Sequence, residues 1–185
     1  LTLAAAFATL MLQPMAAAGV GPAIASGPAS GTRQGAAADG PWFGVWRMSP
    51  ERTAEANGRP RPAPPSQPAD QTHFRMVSAG KGVFKYTIET VPASGGPARV
   101  RAELIGRFDG KDYIEIGNPG ADTNRFRIVD ERTYEVIDTK DGKDLLTIRI
   151  TISPDGLRTS EAKGVDTQGR PVHRITVWER VEDKK

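Results

Sequence analysis

Cysteine is absent from the 185-residue chain, and histidine occurs only twice. The absence of cysteine excludes disulfides, thiolate catalysis, cysteine-ligated zinc and lipid attachment at an N-terminal cysteine. His73 and His173 lie a hundred positions apart, and neither stands in a pattern of metal ligands. We therefore predict no metal site and no cofactor.

Catalytic motifs are also missing. The chain contains no Gly-rich phosphate loop, nucleophile elbow or zinc motif. Asp109, Asp141 and Asp155 each precede glycine, and a tight turn explains all three. We predict no catalytic residue and no enzymatic activity, while a pair of carboxylates brought together by the fold is the open alternative.

Basic and acidic residues are mixed along the chain, and neither kind forms a cluster. The chain has 25 basic and 22 acidic residues, for a net charge of +3. Arg101 and Arg107 alternate with Glu103 and Asp109, and no Lys/Arg run exceeds two residues. This pattern is typical of a solvated strand face, so we predict no nucleic-acid partner.

The longest apolar run stands at the N-terminus and is short. Residues 1–12 are uncharged and apolar, with the length of a signal-peptide core rather than of a membrane span. Ala16-Ala17-Ala18 offers a cleavage site, and residues 23–25 offer a second. We expect a signal peptide over residues 1–18, with 25 as the alternative end, and a secreted or periplasmic protein without a transmembrane segment in the mature chain. A buried N-terminal helix is the competing interpretation.

Glycine, alanine, proline and serine dominate residues 19–40, which favours a flexible linker. A folded domain is expected over residues 41–182. Within it, residues 51–57 predict one or two helical turns that stop at Gly58. The prolines that follow predict an extended surface loop over residues 58–70.

The stretch from Trp42 to Met48 is aromatic and bounded by Gly-Pro and Ser-Pro, which predicts a first strand. Alternation places Trp42, Gly44, Trp46 and Met48 on one side of that strand.

Period-two alternation continues through the rest of the chain. Asp-Gly pairs mark tight turns between the alternating segments. We predict an all-β fold, an antiparallel up-and-down β-barrel of about 8–10 strands, in which the first strand pairs with the last, 171–181. On that last strand, Ile175 and Val177 are taken as the apolar face.

Several motifs resemble the secreted bacterial lipocalin-like (calycin-type) β-barrel proteins, most of which have no assigned activity. They lie between residues 42 and 181 and include Gly44-Val-Trp-Arg-Met-Ser49, Asp109-Gly-Lys-Asp-Tyr113, Gly117-Asn-Pro-Gly-Ala-Asp-Thr123, Thr151-Ile-Ser-Pro-Asp-Gly156, Gly164-Val-Asp-Thr-Gln-Gly-Arg-Pro171 and Val177-Trp-Glu-Arg180. The resemblance implies that Gly44 and Trp46 form the family's G-x-W signature. It also implies that a basic residue of the last strand covers Trp46, with Arg180 and Arg174 as the candidates. Gly44, Trp46, Trp178 and Arg180 are thus expected at the seam of the barrel.

Two functions remain open. The first is the binding of a small apolar or amphipathic molecule by a monomeric barrel, in a cavity of several hundred Å³. The candidate interior residues are apolar or aromatic: Phe84, Tyr86, Leu104, Phe126, Tyr134, Ile148 and Ile150. The second is a scaffold or inhibitor-like module that contacts a protein or the cell envelope through its proline loop, without an interior ligand.

Overall fold

The computed structural model describes residues 40–181, which form ten strands and one helix. The elements are β1 Gly44–Met48, α1 Pro50–Ala56, β2 Gln71–Gly80, β3 Val83–Val91, β4 Arg99–Arg107, β5 Asp112–Ile114, β6 Thr123–Ile128, β7 Thr133–Lys140, β8 Lys143–Ile152, β9 Arg158–Val165 and β10 Pro171–Arg180. The expected signal peptide and linker lie outside the described residues.

All ten strands belong to one antiparallel sheet in the order β4-β3-β2-β1-β10-β9-β8-β7-β6-β5. Each strand pairs with its chain neighbours, except that β4 does not pair with β5, and β1 pairs with β10 through Trp46–Arg180 and Met48–Trp178. The predicted all-β, up-and-down barrel is confirmed, with ten strands. No helix among residues 40–181 is long and apolar enough to cross a membrane.

The two end strands of the sheet are β4 and β5, and a single bridge joins β4 to the segment just after β5. Glu103 and Ile116 exchange two backbone hydrogen bonds of 2.9 Å there. The chain passes so close that a Cβ on Gly117, whose φ is +88°, would lie 2.3 Å from the carbonyl oxygen of Arg101. Glycine is therefore required where the barrel closes.

One end of the barrel is filled by aromatic rings. Trp42 and Trp46 are fully buried, and the Trp46 indole Nε1 donates a hydrogen bond of 3.2 Å to the Trp42 carbonyl oxygen. The Trp42 ring packs at 5.5 Å from Phe108 and 5.6 Å from Tyr134 between ring centroids. These contacts bury large apolar surfaces at this end of the barrel.

Arg180 covers this end from outside. Its guanidinium lies 4.3 Å from the Trp46 ring centroid and donates hydrogen bonds to the carbonyl oxygens of Phe43 (3.0 Å) and Pro41 (2.6 Å). Gly44 makes room for it, since a Cβ there would lie 2.5 Å from Arg180 Nη1. Arg174, the other candidate, lies at the cavity described below.

The expectation for the last strand was wrong in one respect. Thr176 and Trp178 face the interior, whereas Ile175 and Val177 lie beneath α1 on the outside. The reason is that β1 ends at Met48, which leaves the first part of β10 without a strand neighbour on that side.

Helix α1 takes the place of that missing neighbour. The Asn57 side chain accepts a hydrogen bond from the Ile175 backbone N–H (2.9 Å) and donates one to the Ile175 carbonyl oxygen (2.6 Å). The Thr53 hydroxyl oxygen accepts from the Val177 N–H at 3.0 Å. The predicted short helix is confirmed, and after it residues 58–70 have no regular helix or strand and are exposed throughout.

Candidate functional site

A cavity of about 190 Å³ lies inside the barrel, beyond the tryptophan-filled end. Five of the seven candidate interior residues line it, namely Tyr86, Phe126, Tyr134, Ile148 and Ile150. Phe84 and Leu104 are buried in the neighbouring core and do not reach it. The cavity is smaller than the several hundred Å³ that we expected.

The aromatic rings account for the small size. Phe84 packs at 4.9 Å from Phe126, and Phe74 stacks at 5.4 Å from Tyr86, between ring centroids. These rings occupy volume that smaller side chains at the same inward positions would leave open. The space that remains suits a compact molecule.

A buried arginine reaches the cavity from β9. Arg158 is 4% exposed, and its guanidinium lies 4.1 Å from the Phe74 ring centroid and 5.3 Å from that of Trp178. It donates hydrogen bonds to Ser160 Oγ (3.0 Å) and to the Tyr134 hydroxyl (3.3 Å).

No carboxylate between residues 40 and 181 forms a salt bridge with Arg158. Its Nε–H is also buried without an acceptor. A buried cation normally has a counterion, because removing its hydration is costly. The aromatic faces offset only part of that cost.

Two acidic side chains, Glu115 and Asp138, line the same cavity. Glu115 Oε1 accepts a hydrogen bond of 2.5 Å from the Tyr86 hydroxyl, and its Oε2 accepts one of 2.8 Å from Asn118 Nδ2. Asp138 Oδ1 accepts one of 2.6 Å from Asn124 Nδ2.

Burial and charge shift the ionisation of these groups. Burial, and secondarily the negative charge of Glu115, raises the pKa of Asp138 to about 6. Burial together with Glu115 also raises the pKa of the Tyr86 hydroxyl, which therefore stays protonated and keeps donating to Glu115.

Unpartnered polar atoms are concentrated at this cavity. Among residues 40–181, four buried side-chain nitrogen or oxygen atoms have no hydrogen-bond partner. Three of the four belong to cavity-lining residues: Arg158 Nε, Trp178 Nε1 and Asn124 Oδ1. Because buried polar groups are almost always bonded, two donors and one acceptor here point to a molecule that supplies their partners.

Among residues 40–181, no group of three or more histidine, aspartate or glutamate side chains is placed to hold a metal ion. His173 is exposed and lies 2.8 Å from Glu161 Oε1, while His73 lies 3.3 Å from Gln71 Oε1. The two histidines therefore contact different residues and form no common site.

The polar residues of the cavity were missed at sequence level, although a signal for two of them exists. Asp138 follows Tyr134 and Val136 in the same alternation, and Asn124 precedes Phe126 in the same way. Polarity alone assigns these residues to the outer face, whereas the alternation set by Tyr134, Val136 and Phe126 places Asp138 and Asn124 on the inner face.

Comparison with protein-family models gives no match, and comparison with curated protein sequences gives none either. Among solved structures, a mutant of the fluorescent protein UnaG is 15% identical with a TM-score of 0.49, covering 77% of this chain and 98% of its own. Wild-type UnaG is 17% identical with a TM-score of 0.46, covering 76% and 97%. Fatty-acid-binding protein 1 of Echinococcus granulosus is 10% identical with a TM-score of 0.47, covering 77% and 98%.

Proposed function

We propose that this barrel binds a small amphipathic molecule whose acidic group pairs with Arg158. The observation that carries the proposal is the buried guanidinium, which faces a cavity and has no carboxylate partner among residues 40–181. A carboxylate from a ligand supplies the missing counterion and accepts from the Nε–H.

The rest of the ligand is apolar and compact. Phe74, Phe126, Trp178 and the aliphatic side chains around them line the cavity, and they shield an apolar body from water. At about 190 Å³ the cavity lies below the range of roughly 300–1,000 Å³ that suits drug-sized ligands. A short aryl or alkyl acid fits this description better than a long-chain lipid.

The test is calorimetric titration with short phenyl-substituted carboxylic acids and their primary amides. Wild-type protein binds the acids in preference to the amides, and Arg158→Met reduces affinity for the acids about tenfold or more, because a hydrogen-bonded charge pair is lost. Arg149→Met is the matched control, since Arg149 is exposed and pairs with Glu135 on the outer face. Equal affinity for acid and amide, or equal losses in the two variants, contradicts the proposal.

We further propose that the protein acts outside the cytoplasm. The support is the apolar run at residues 1–12 and the small residues that follow it. A full-length, C-terminally tagged protein is expected in the periplasmic or secreted fraction with its N-terminus removed. Unprocessed protein in the cytosol contradicts the location and leaves the binding proposal intact.

A further inference from the structure

One buried hydrogen-bond acceptor at the cavity, the side-chain oxygen of Asn124, needs a donor, and an ionised acidic group has no hydrogen to donate. Asn124 is 2% exposed and lines the cavity, and its Oδ1 is buried without a donor. Its orientation follows from the bond between its Nδ2 and Asp138 Oδ1 (2.6 Å), since a carboxylate accepts and the amide nitrogen donates.

The side chains around Asn124 include two acidic groups. Glu115 and Asp138 line the same part of the cavity, and Arg174 is the basic residue whose charge acts on Asp138. A second acidic group is disfavoured here, whereas a hydroxyl or N–H group is favoured.

Arg158 and Asn124 contact different residues of β7. Arg158 donates to the Tyr134 hydroxyl, whereas Asn124 donates to Asp138, four residues further along that strand. The backbone positions of Tyr134 and Asp138 are therefore roughly 13 Å apart. A molecule that contacts both Arg158 and Asn124 bridges two separate points of the cavity, so acids of graded length test which separation fits.

We propose that the ligand is bipolar, with an acidic group at Arg158 and a hydrogen-bond-donating group at Asn124 Oδ1. This inference rests on the proposed function and extends it, because it specifies the ligand's second end. Its chemical class is a small aromatic or aliphatic acid that carries a distal hydroxyl or N–H group.

The test compares three substituents on one scaffold. Benzoate, phenylacetate and 3-phenylpropanoate are each titrated as the parent acid, the para-hydroxyl derivative and the para-methoxy derivative. The hydroxyl derivative of the best-fitting length binds about three- to tenfold more tightly than its parent, because it satisfies a buried acceptor. The methoxy derivative gains nothing, since its oxygen has no hydrogen to donate.

The variant Asn124→Leu removes the acceptor and is tested with the same compounds. The ratio between the affinities for the hydroxyl derivative and for the parent acid falls to about one in this variant. If the hydroxyl advantage persists in Asn124→Leu, the donor is recognised elsewhere and the inference is overturned. The substituent series in wild-type protein tests the inference even if the variant does not fold.

The two proposals fail in different ways. Parent acids that bind without any hydroxyl preference, at all three lengths, overturn the bipolar ligand and leave the acid-binding function standing. The absence of binding by every compound overturns the proposed function, and the inference with it.

Discussion

Under the proposed function, Arg158 serves binding at the expense of stability. Its guanidinium is buried against two aromatic rings, and within residues 40–181 it donates hydrogen bonds only to neutral oxygens, Ser160 Oγ and the Tyr134 hydroxyl. A buried charge of this kind weakens the free protein and strengthens its complex with an anion. Nothing in the sequence around Arg158 distinguishes it from the outward-facing arginines, so its role becomes visible only in the fold.

We expect Arg158→Met to leave the free energy of unfolding unchanged or higher, because methionine fills similar space without a charge to desolvate. Chemical denaturation of the ligand-free protein measures this. Arg180→Met is the contrasting control, since Arg180 donates to two backbone carbonyls and covers Trp46. We expect that control to lose about 1–3 kcal/mol. A larger loss in Arg158→Met than in Arg180→Met contradicts a site held ready for an anion.

Asp138 makes stability depend on pH in an unusual direction. Its folded pKa of about 6 lies above the ordinary 3.8, so the folded state holds a proton that the unfolded chain releases between these values. Asp138 therefore contributes stability that is fully present below pH 3.8 and is lost as the pH rises through 6.

We expect the stability of wild-type protein relative to Asp138→Asn to fall by about 2 kcal/mol between pH 4 and pH 7, because the pKa of Asp138 is raised in the folded state and the unfolded chain is already partly ionised at pH 4. Urea denaturation of both proteins at each pH measures the difference. Carboxyl groups with lowered pKa values, such as Glu135, are present in both proteins and cancel in the comparison. A difference that does not change with pH shows that Asp138 is not desolvated.

At the scale of strands, period-two alternation together with the Asp-Gly turns predicted the barrel and the pairing of its first and last strands, β1 with β10. The same rule was wrong for β10, because helix α1 lies against the outer side of that strand, where Val177 is buried and Ile175 is partly buried. Alternation shows which residues of a strand share a side. It does not show which side faces the barrel interior when both sides are covered.

The weakest junction between elements is the one between β4 and β5, where a single bridge closes the barrel. We expect Gly117→Ala to open it, because a Cβ at this positive φ would lie 2.3 Å from the Arg101 carbonyl oxygen. Hydrogen exchange at the Glu103 and Ile116 amides is expected to accelerate at least about tenfold, as the local opening free energy falls.

Gly110→Ala is the matched control for this junction, since Gly110 also has a positive φ, of +74°, but has no atom within 4 Å of an added Cβ. Its effect is expected to be limited to backbone strain in the Asp109-Gly110 turn. Unchanged exchange at Glu103 and Ile116 in Gly117→Ala would show that the bridge does not depend on close backbone approach.

At the scale of the molecule, the barrel is a packed aromatic core with a small cavity above it, lined by apolar side chains and several polar ones. Five of the seven interior candidates line this cavity, but other apolar lining residues, such as Phe74 and Val136, were not among them. The sequence did not predict the volume, because ring packing decides how much of the interior stays open. It also did not place Arg158 in the same cavity as Asn124 and Asp138: the latter two are partners on the neighbouring strands β6 and β7, whereas Arg158 lies on β9.

Native mass spectrometry of the protein purified from its own host tests the central claim most directly. Wild-type protein is expected to carry a small acidic molecule that dissociates at higher collision energy, and Arg158→Met is expected to carry little or none. Such a result also separates a carrier from a scaffold that works through its proline loop. Wild-type protein found only at the mass of the bare chain, or an equal load in both proteins, contradicts the account.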